Sequence, residues 1–102
     1  MKTLVTSMLT LAWLLSSTAL AGDAAAGQSK AASCIGCHGM TGVSANPLWP
    51  NLAGQHEDYL VKQLQDFKSG VRKDPNMNAL ASPLSDADMA DIAAYFASQA
   101  CK

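Results

Sequence analysis

The chain of 102 residues has few aromatic side chains, which make up 6% of it, and few charged ones, which make up 15%. Its formal net charge is -1, so it lacks the basic surface that a nucleic-acid partner needs, and we expect no such partner. No segment alternates between apolar and polar residues as a half-buried strand does, and alanine dominates the apolar residues, which favours an all-α fold. With so few bulky side chains, something other than protein has to fill part of the interior.

The N-terminal segment has the pattern of an export signal. Lys2 precedes an apolar run and a small polar cluster, and Ala19-Leu20-Ala21 forms a small-x-small cleavage site. We therefore predict a signal peptide over residues 1–21 and a mature domain over residues 22–102, exported to the bacterial periplasm and not integral to the membrane. The alternative is an uncleaved anchor, because no charge follows Lys2 within this segment. The remaining 81 residues have a formal charge of -2, and a domain of that size usually needs a disulfide, a metal or a large buried cofactor.

Three main helices are predicted in the mature domain. The first covers Asp23 to Cys34, where Gly27 indicates a close crossing by another helix. The second runs from about His56 to Ser69 and the third from Ser85 to about Gln99. Their apolar positions repeat at helical spacing and are expected to be core: Tyr59, Leu60, Leu64 and Phe67 in the second helix, and Met89, Ile92, Ala93 and Phe96 in the third.

Two segments between these helices are rich in glycine and proline. The stretches 39–54 and 70–83 each contain residues that interrupt a helix, such as Asp74-Pro75. We predict that both are ordered loops. Long ordered loops in a small domain are often functional.

The motif that carries chemistry is Cys34-Ile35-Gly36-Cys37-His38, which reads C-x-x-C-H. This is the attachment sequence for c-type haem. Two thiols three positions apart on a helical turn can each add to a vinyl group of one porphyrin, and the adjacent imidazole then lies under the ring as the proximal iron ligand. We predict one covalent haem c attached through Cys34 and Cys37, with His38 bound to its iron. The haem also supplies the missing interior.

Other structures built on the same cysteines are a local disulfide, a thioredoxin-like redox pair and half of a zinc site. A thioredoxin-like domain needs strands alternating with helices, and the sequence has no strand pattern. A zinc site needs a second pair of ligands, and the remaining candidates, His56 and Cys101, are far apart and single. These alternatives are weaker than haem attachment.

The second axial ligand decides between electron transfer and small-molecule chemistry, because a six-coordinate iron has no open position. Met40 is too close to His38 to reach the far face of a porphyrin, and Met89 belongs to a core stripe. His56 is placed at a helix start among acidic residues. Met77 lies in the predicted second loop, 39 residues after His38, so it is the expected ligand.

With these residues in hand, the mature chain resembles the class I c-type cytochromes over nearly all of its length, in particular one half of the small periplasmic dihaem cytochromes or a single-haem relative of them. The segment from Pro50 to Gln55 is similar to one in that group, where the proline carbonyl accepts a hydrogen bond from the axial histidine. The resemblance thus implies that Pro50 orients His38, and it places Met77 at the axial methionine. It also implies an aromatic residue of the last helix packed near Gly27. The chain departs from the dihaem pattern in having one C-x-x-C-H motif.

These expectations describe a periplasmic one-electron carrier, not an enzyme. The resemblance implies a quinol-oxidising complex as donor and a terminal oxidase or periplasmic reductase as acceptor. Three alternatives stay open: a haem sensor or peroxidase-like enzyme with a labile sixth ligand, a thiol oxidoreductase, and the cytochrome subunit of a larger dehydrogenase.

Two further residues have candidate roles. Arg72, near the end of the second predicted helix, is the preferred partner of the haem propionates, although such charges are more often solvated. Cys101 lies outside the attachment motif. It could link two chains through a disulfide, or the protein could be a monomer with a frayed terminal cysteine.

Overall fold

The computed structural model describes residues 21–101, and these form five α-helices. The predicted signal peptide therefore lies almost wholly outside the described residues. Within residues 21–101 there is no β-strand, which agrees with the predicted all-α fold. In chain order the helices are α1 (Ala24–Lys30), α2 (Ile35–His38), α3 (Glu57–Ser69), α4 (Pro75–Ala81) and α5 (Asp86–Ala97), with a 3₁₀ turn at Ala31–Ser33 between α1 and α2.

The helix ends follow local sequence signals. The carboxylate of Asp23 accepts hydrogen bonds from the backbone N–H groups of Ala25 and Ala26 and so caps α1. Ser85 and Asp88 form a capping box at the start of α5, in which each side chain accepts from the other residue's backbone N–H. Gly70 ends α3 with a φ of 80°, a left-handed conformation that disfavours other residues.

Helices α1 and α5 cross closely at Gly27. A Cβ atom on Gly27 would lie 1.9 Å from the carbonyl oxygen of Asp91 and 2.9 Å from the Cβ of Tyr95, so only glycine fits. The Asp91 carboxylate also accepts a hydrogen bond of 2.8 Å from the backbone N–H of Asp23. The predicted crossing at Gly27 is confirmed, and the aromatic residue beside it is Tyr95.

Six of the eight residues in the predicted core stripes are buried. Met89, Ile92, Ala93 and Phe96 on α5 are all buried, and Met89 is only 1% exposed. On α3, Leu60 and Phe67 are buried and Leu64 packs against the core. Tyr59 is 47% exposed, so its assignment to the core was wrong. The helical spacing places it at the edge of the stripe, where it lines a cavity described below.

Two predicted boundaries were also wrong. The first helix does not continue to Cys34 but changes to a 3₁₀ turn after Lys30. The second loop is not irregular throughout, because residues 75–81 form α4. Asp74 accepts hydrogen bonds from two backbone N–H groups as the N-cap, and Pro75 occupies the first turn, where a missing N–H costs nothing. The Asp-Pro pair thus starts a helix instead of breaking one.

No helix within the described part of the chain is both long enough and apolar enough to cross a bilayer.

Replacing Gly27 by alanine is expected to lower the free energy of unfolding by about 1–3 kcal/mol, because the added methyl group forces α1 away from α5. Chemical denaturation of the holoprotein measures this. Gly36→Ala is the matched control, since a Cβ at Gly36 meets no atom within 4 Å. Equal stability of the two variants would contradict the close crossing.

The contact between α1 and α5 also predicts a dependence of stability on pH. Lys30 Nζ lies 3.0 Å from Asp88 Oδ1 and 2.6 Å from Asp91 Oδ2. The hydrogen bond from the Ser85 backbone and then the Lys30 ammonium lower the pKa of Asp88 to about 2. An unfolded aspartate has a pKa of about 3.9, so the stabilisation from Asp88 is complete above that pH and disappears as the pH falls towards 2.

The difference in denaturation midpoint between the native chain and the variant Asp88→Asn should therefore be constant above about pH 5 and shrink towards pH 2. Asp86→Asn, in the same helical turn, serves as control, because the side chain of Asp86 makes no hydrogen bond or ion pair among residues 21–101. A difference for Asp88→Asn that is as large at pH 2 as at pH 7 would show that the carboxylate charge contributes nothing.

Candidate cofactor site

A cavity of about 810 Å³ lies between the attachment motif, the loop before α3, and helices α3, α4 and α5. Its size falls within the range of about 300–1,000 Å³ that is typical of cofactor sites. Cys34, Cys37, His38 and Met77 all line it. Much of the remaining lining is apolar: Leu48, Trp49, Pro50, Leu52, Leu60, Leu64, Phe67, Leu80, Leu84, Ile92 and Phe96. The fold thus brings the sequence-predicted thiols and iron ligands to one apolar cavity.

The attachment motif forms a single turn of helix. The backbone N–H groups of Cys37 and His38 donate to the carbonyl of Cys34 at 3.3 and 3.0 Å. Gly39 ends the turn with a φ of 87°, and a Cβ there would lie 2.0 Å from the carbonyl oxygen of Val43. This turn places the two thiols about one helical turn apart, both on the cavity.

His38 is 8% exposed, and its ring is fixed by one hydrogen bond. Its Nδ1 lies 2.9 Å from the carbonyl oxygen of Pro50. A carbonyl only accepts hydrogen bonds, so Nδ1 carries a proton, and in the neutral ring the lone pair is on Nε2. The neutral imidazole is thereby held in the tautomer that can bind a metal through Nε2. The contact that the resemblance implied between these two residues is present.

The Pro50 carbonyl is itself held in place by the loop around it. The backbone N–H groups of Leu52 and Ala53 both donate to the carbonyl of Gly42, at 2.7 and 3.0 Å. Asn51 accepts from the backbone N–H of Ser44, whose hydroxyl donates to the carbonyl of Cys37 at 3.1 Å. The loop is therefore bonded directly to the attachment turn, which fixes the position of the carbonyl relative to the histidine ring.

Met77 lies in the first turn of α4, and its side chain is half-buried on the cavity. Asp74 Oδ1 accepts from the backbone N–H of Met77 at 2.9 Å. The expectation that Met77 lies in a loop was wrong, but the expectation that it faces the same space as His38 is consistent with the cavity lining. A helical turn fixes the methionine backbone more firmly than a loop would.

The other sulfur and imidazole candidates lie elsewhere. Met40 is 75% exposed, Met89 is buried in the core, and His56 is exposed at the start of α3. Of the methionines and histidines within residues 21–101, His38 and Met77 are the two that line the cavity. The structure thus separates the candidate pair from every alternative that the sequence offered in this range.

Arg72 and Cys101 have defined surroundings. The Arg72 guanidinium lies 4.6 Å from the centre of the Phe67 ring, donates to Gln63 Oε1 at 2.7 Å and lines the cavity. That Arg72 binds the haem propionates stays a prediction.

The thiol of Cys101 is exposed, and its Sγ lies 3.4 Å from the carbonyl oxygen of Ala53.

The pKa of the Cys34 thiol argues against a redox-active pair of thiols at Cys34 and Cys37. Burial raises the pKa of the Cys34 thiol, an effect that its hydrogen bond with Ser33 only partly offsets. Catalytic thiols of the thioredoxin type have lowered pKa values, because the thiolate is the nucleophile. The local environment of Cys34 has the opposite effect.

The residues present fit a covalent haem. The cavity has suitable volume and apolar lining, two free thiols at attachment spacing, one histidine with a protonated Nδ1 and one thioether. These are the ligand types that hold and tune a c-type haem.

Comparison with known proteins identifies the family. The cytochrome c family model matches residues 24–100. The chain belongs to the cytochrome c family. A covalently attached haem c with its iron is accordingly the cofactor, and the fold is that of class I cytochromes c.

Individual relatives agree with this assignment. The chain is 56% identical to cytochrome c4 of Pseudomonas aeruginosa over 98 residues, which cover 96% of this chain and 48% of the relative. It is 48% identical to cytochrome c-554(548) of Halomonas halodenitrificans over 82 residues, which cover 78% of this chain and 99% of the relative. A thiosulfate dehydrogenase electron acceptor of Thiomonas intermedia is 45% identical over 74 residues, 71% of this chain and 34% of that protein.

Among solved structures, reduced recombinant cytochrome c4 from Pseudomonas stutzeri superposes with a TM-score of 0.75 at 53% identity, over 78% of this chain and 47% of that one. The chain thus spans about half the length of the cytochrome c4 relatives that it matches.

Some site residues were not predicted from the sequence. Asp74, which accepts from the Met77 backbone N–H, and Asn78, which accepts from the Asp74 backbone N–H, were missed. Leu48 and Trp49 on the cavity wall were missed as well. The Asp-Pro pair before Met77 could have revealed the N-cap. The role of Asn78 had no sequence signal, because its partners are backbone groups up to 11 residues away.

Proposed function

We propose that this cytochrome is an exported one-electron carrier whose haem is attached through Cys34 and Cys37 and ligated by His38 and Met77. The observation that carries the proposal is the single apolar cavity on which these four side chains meet. When bound, the haem supplies the Fe(III)/Fe(II) couple. The chain's own residues hold it, orient its ligands and limit the access of water.

The chain's ligands suit a carrier more than an enzyme. His38 would hold the iron through its imidazole and Met77 through its thioether, and an iron held by both would have no open site for a substrate. The Pro50 carbonyl fixes the His38 ring through Nδ1, which makes the imidazole a better donor. A thioether favours Fe(II) and so raises the reduction potential relative to two imidazoles. The sensor or peroxidase alternative requires Met77 to be absent from the iron or easily displaced.

The pattern of the N-terminal segment supports a periplasmic setting. Cleavage after Ala21 would release residues 22–102 into the periplasm, where haem attachment occurs. A quinol-oxidising complex as donor, and a terminal oxidase or periplasmic reductase as acceptor, complete the proposed path. Partners of this kind dock weakly and transiently.

Whether the chain acts as a monomer or as a Cys101-linked dimer is tested by gel filtration with and without reductant.

A second candidate function has its own support. The 45% identity to the thiosulfate dehydrogenase electron acceptor of Thiomonas intermedia favours a cytochrome that takes electrons directly from a periplasmic dehydrogenase. Co-purification of a dehydrogenase with the tagged chain, followed by haem reduction on addition of its substrate, tests this role.

Replacing Met77 by alanine is expected to leave the haem covalently attached but to open the sixth position. The ferric form should lose the weak long-wavelength band of thioether ligation, the ferrous form should bind CO, and the potential should fall. Met40→Ala is the matched control, because Met40 is exposed and does not line the cavity. An unchanged spectrum in Met77→Ala would overturn the ligand assignment, and a colourless native protein would overturn the whole proposal.

Replacing Arg72 by glutamine is expected to lower the reduction potential if the guanidinium lies beside the propionates, because a nearby positive charge favours the reduced haem. Redox titration measures this. The control is Lys62→Gln, since Lys62 pairs with Asp66 and does not line the cavity. Equal potentials in the two variants would remove Arg72 from the propionate site.

A further inference from the structure

The side chain of Asn78 joins three parts of the fold next to Met77. Its Nδ2 donates to the carbonyl of Phe67 at 2.7 Å and to that of Arg72 at 2.9 Å. Its Oδ1 accepts from the backbone N–H of Asp74 at 2.9 Å. One carboxamide thereby connects the end of α3, the following linker and the N-cap of α4.

The orientation of this carboxamide is determined by its partners. Two of them are carbonyl oxygens, which only accept, and the third is an N–H group, which only donates. Exchanging Nδ2 and Oδ1 would set like groups against each other at all three contacts. An aspartate at this position could keep the bond to the N–H but would lose both donors.

Asp74 links Asn78 to the backbone of Met77. The backbone N–H of Asp74 is held by Asn78, and the carboxylate of the same residue accepts from the N–H groups of Asn76 and Met77 at 3.0 and 2.9 Å. The position of the first turn of α4 therefore depends on where Asn78 holds its N-cap residue. Met77 lies in that turn.

Little else bonds this end of α4 to the rest of the domain. In the described part of the chain, the bond from Asn78 to the Phe67 carbonyl is the one hydrogen bond that joins α4 to α3. At the start of α4, Pro75 and Asn76 are exposed, and Met77 and Asn78 are only half-buried. The turn that bears Met77 is thus joined to α3 by one polar contact, and its first two residues are not packed against the core.

We propose that Asn78 is a positioning residue that keeps Met77 available to the haem iron and so resists its replacement by external ligands. The inference rests on the proposed ligation by Met77 and deepens it. A neutral thioether favours ferrous over ferric iron, so its retention in the ferric state depends on the stiffness of the segment that carries it. Loosening α4 lowers the effective concentration of the thioether at the iron.

The test uses imidazole as an external ligand of the ferric holoprotein. In Asn78→Ala we expect imidazole to bind about tenfold more readily than in the native protein, because losing hydrogen bonds of this kind shifts the local opening equilibrium by about that factor. The thioether band should persist without imidazole. Alanine favours helices, so weaker intrinsic helix formation cannot cause the effect.

Two further variants sharpen the comparison. Ser82→Ala is the control at the other end of α4, because Ser82 is exposed, does not line the cavity and, in the described part of the chain, bonds only through its backbone; its imidazole affinity should equal that of the native protein. Asn78→Asp removes both donors and sets a negative charge against the two carbonyl oxygens, so it should favour imidazole binding at least as much as Asn78→Ala. It also provides the test if the alanine variant does not fold.

The possible results distinguish a failure of the role proposed for Asn78 from a failure of the proposed ligation by Met77. Native-like imidazole binding in a folded Asn78 variant, together with a thioether band in the native protein, overturns the role of Asn78 and leaves the ligand assignment intact. The same holds if Asn78→Ala loses global stability in denaturant without any change in imidazole binding, because the residue would then be merely structural. A native protein without the band overturns the ligand assignment and this inference with it.

Discussion

The crossing of α1 over α5 is the constraint on which the rest of the structure depends. Only a glycine at position 27 lets the two backbones approach as closely as they do, with Asp91 holding the start of α1 through its side chain. The short 3₁₀ turn after α1 then leads directly into the attachment turn. Because α5 packs on both α1 and α3, it connects the helix that leads into the attachment turn to a helix that lines the cavity.

The two candidate iron ligands are positioned by different kinds of contact. His38 is buried, and its ring is held by a carbonyl from a loop bonded to the same turn, so its tautomer and orientation are fixed by short-range geometry. Met77 lies on a short helix whose first turn is held by side-chain hydrogen bonds from Asp74 and Asn78. The proposed pair thus comprises one ligand that is held rigidly and one whose retention we infer to depend on a polar contact. That difference matters because the thioether is the ligand that external molecules can replace.

Much of the fold could be predicted from the sequence because its signals are local. The helix start at Ser85 and the helical turn of the C-x-x-C-H motif act through a few neighbouring residues, and both were placed correctly. Gly27 was also placed correctly, because a glycine inside an alanine-rich helix is itself a signal, although its partners Asp91 and Tyr95 are distant in the chain. Asp74-Pro75 was interpreted as a break although an N-cap followed by proline also starts a helix. The exposure of Tyr59 and the contacts of Asn78 depend on which elements meet in space, and no spacing along the chain encodes that.

The central claim is that the iron lies between the imidazole of His38 and the sulfur of Met77, and NMR of the ferrous holoprotein with labelled methionine methyl groups tests it most directly. A methyl group bound over the porphyrin face is shifted far upfield by the ring current. The account predicts one such resonance, which is assigned to Met77 because it disappears in the corresponding alanine variant. A spectrum without an upfield methyl resonance, or one whose resonance belongs to Met40 or Met89, would contradict it.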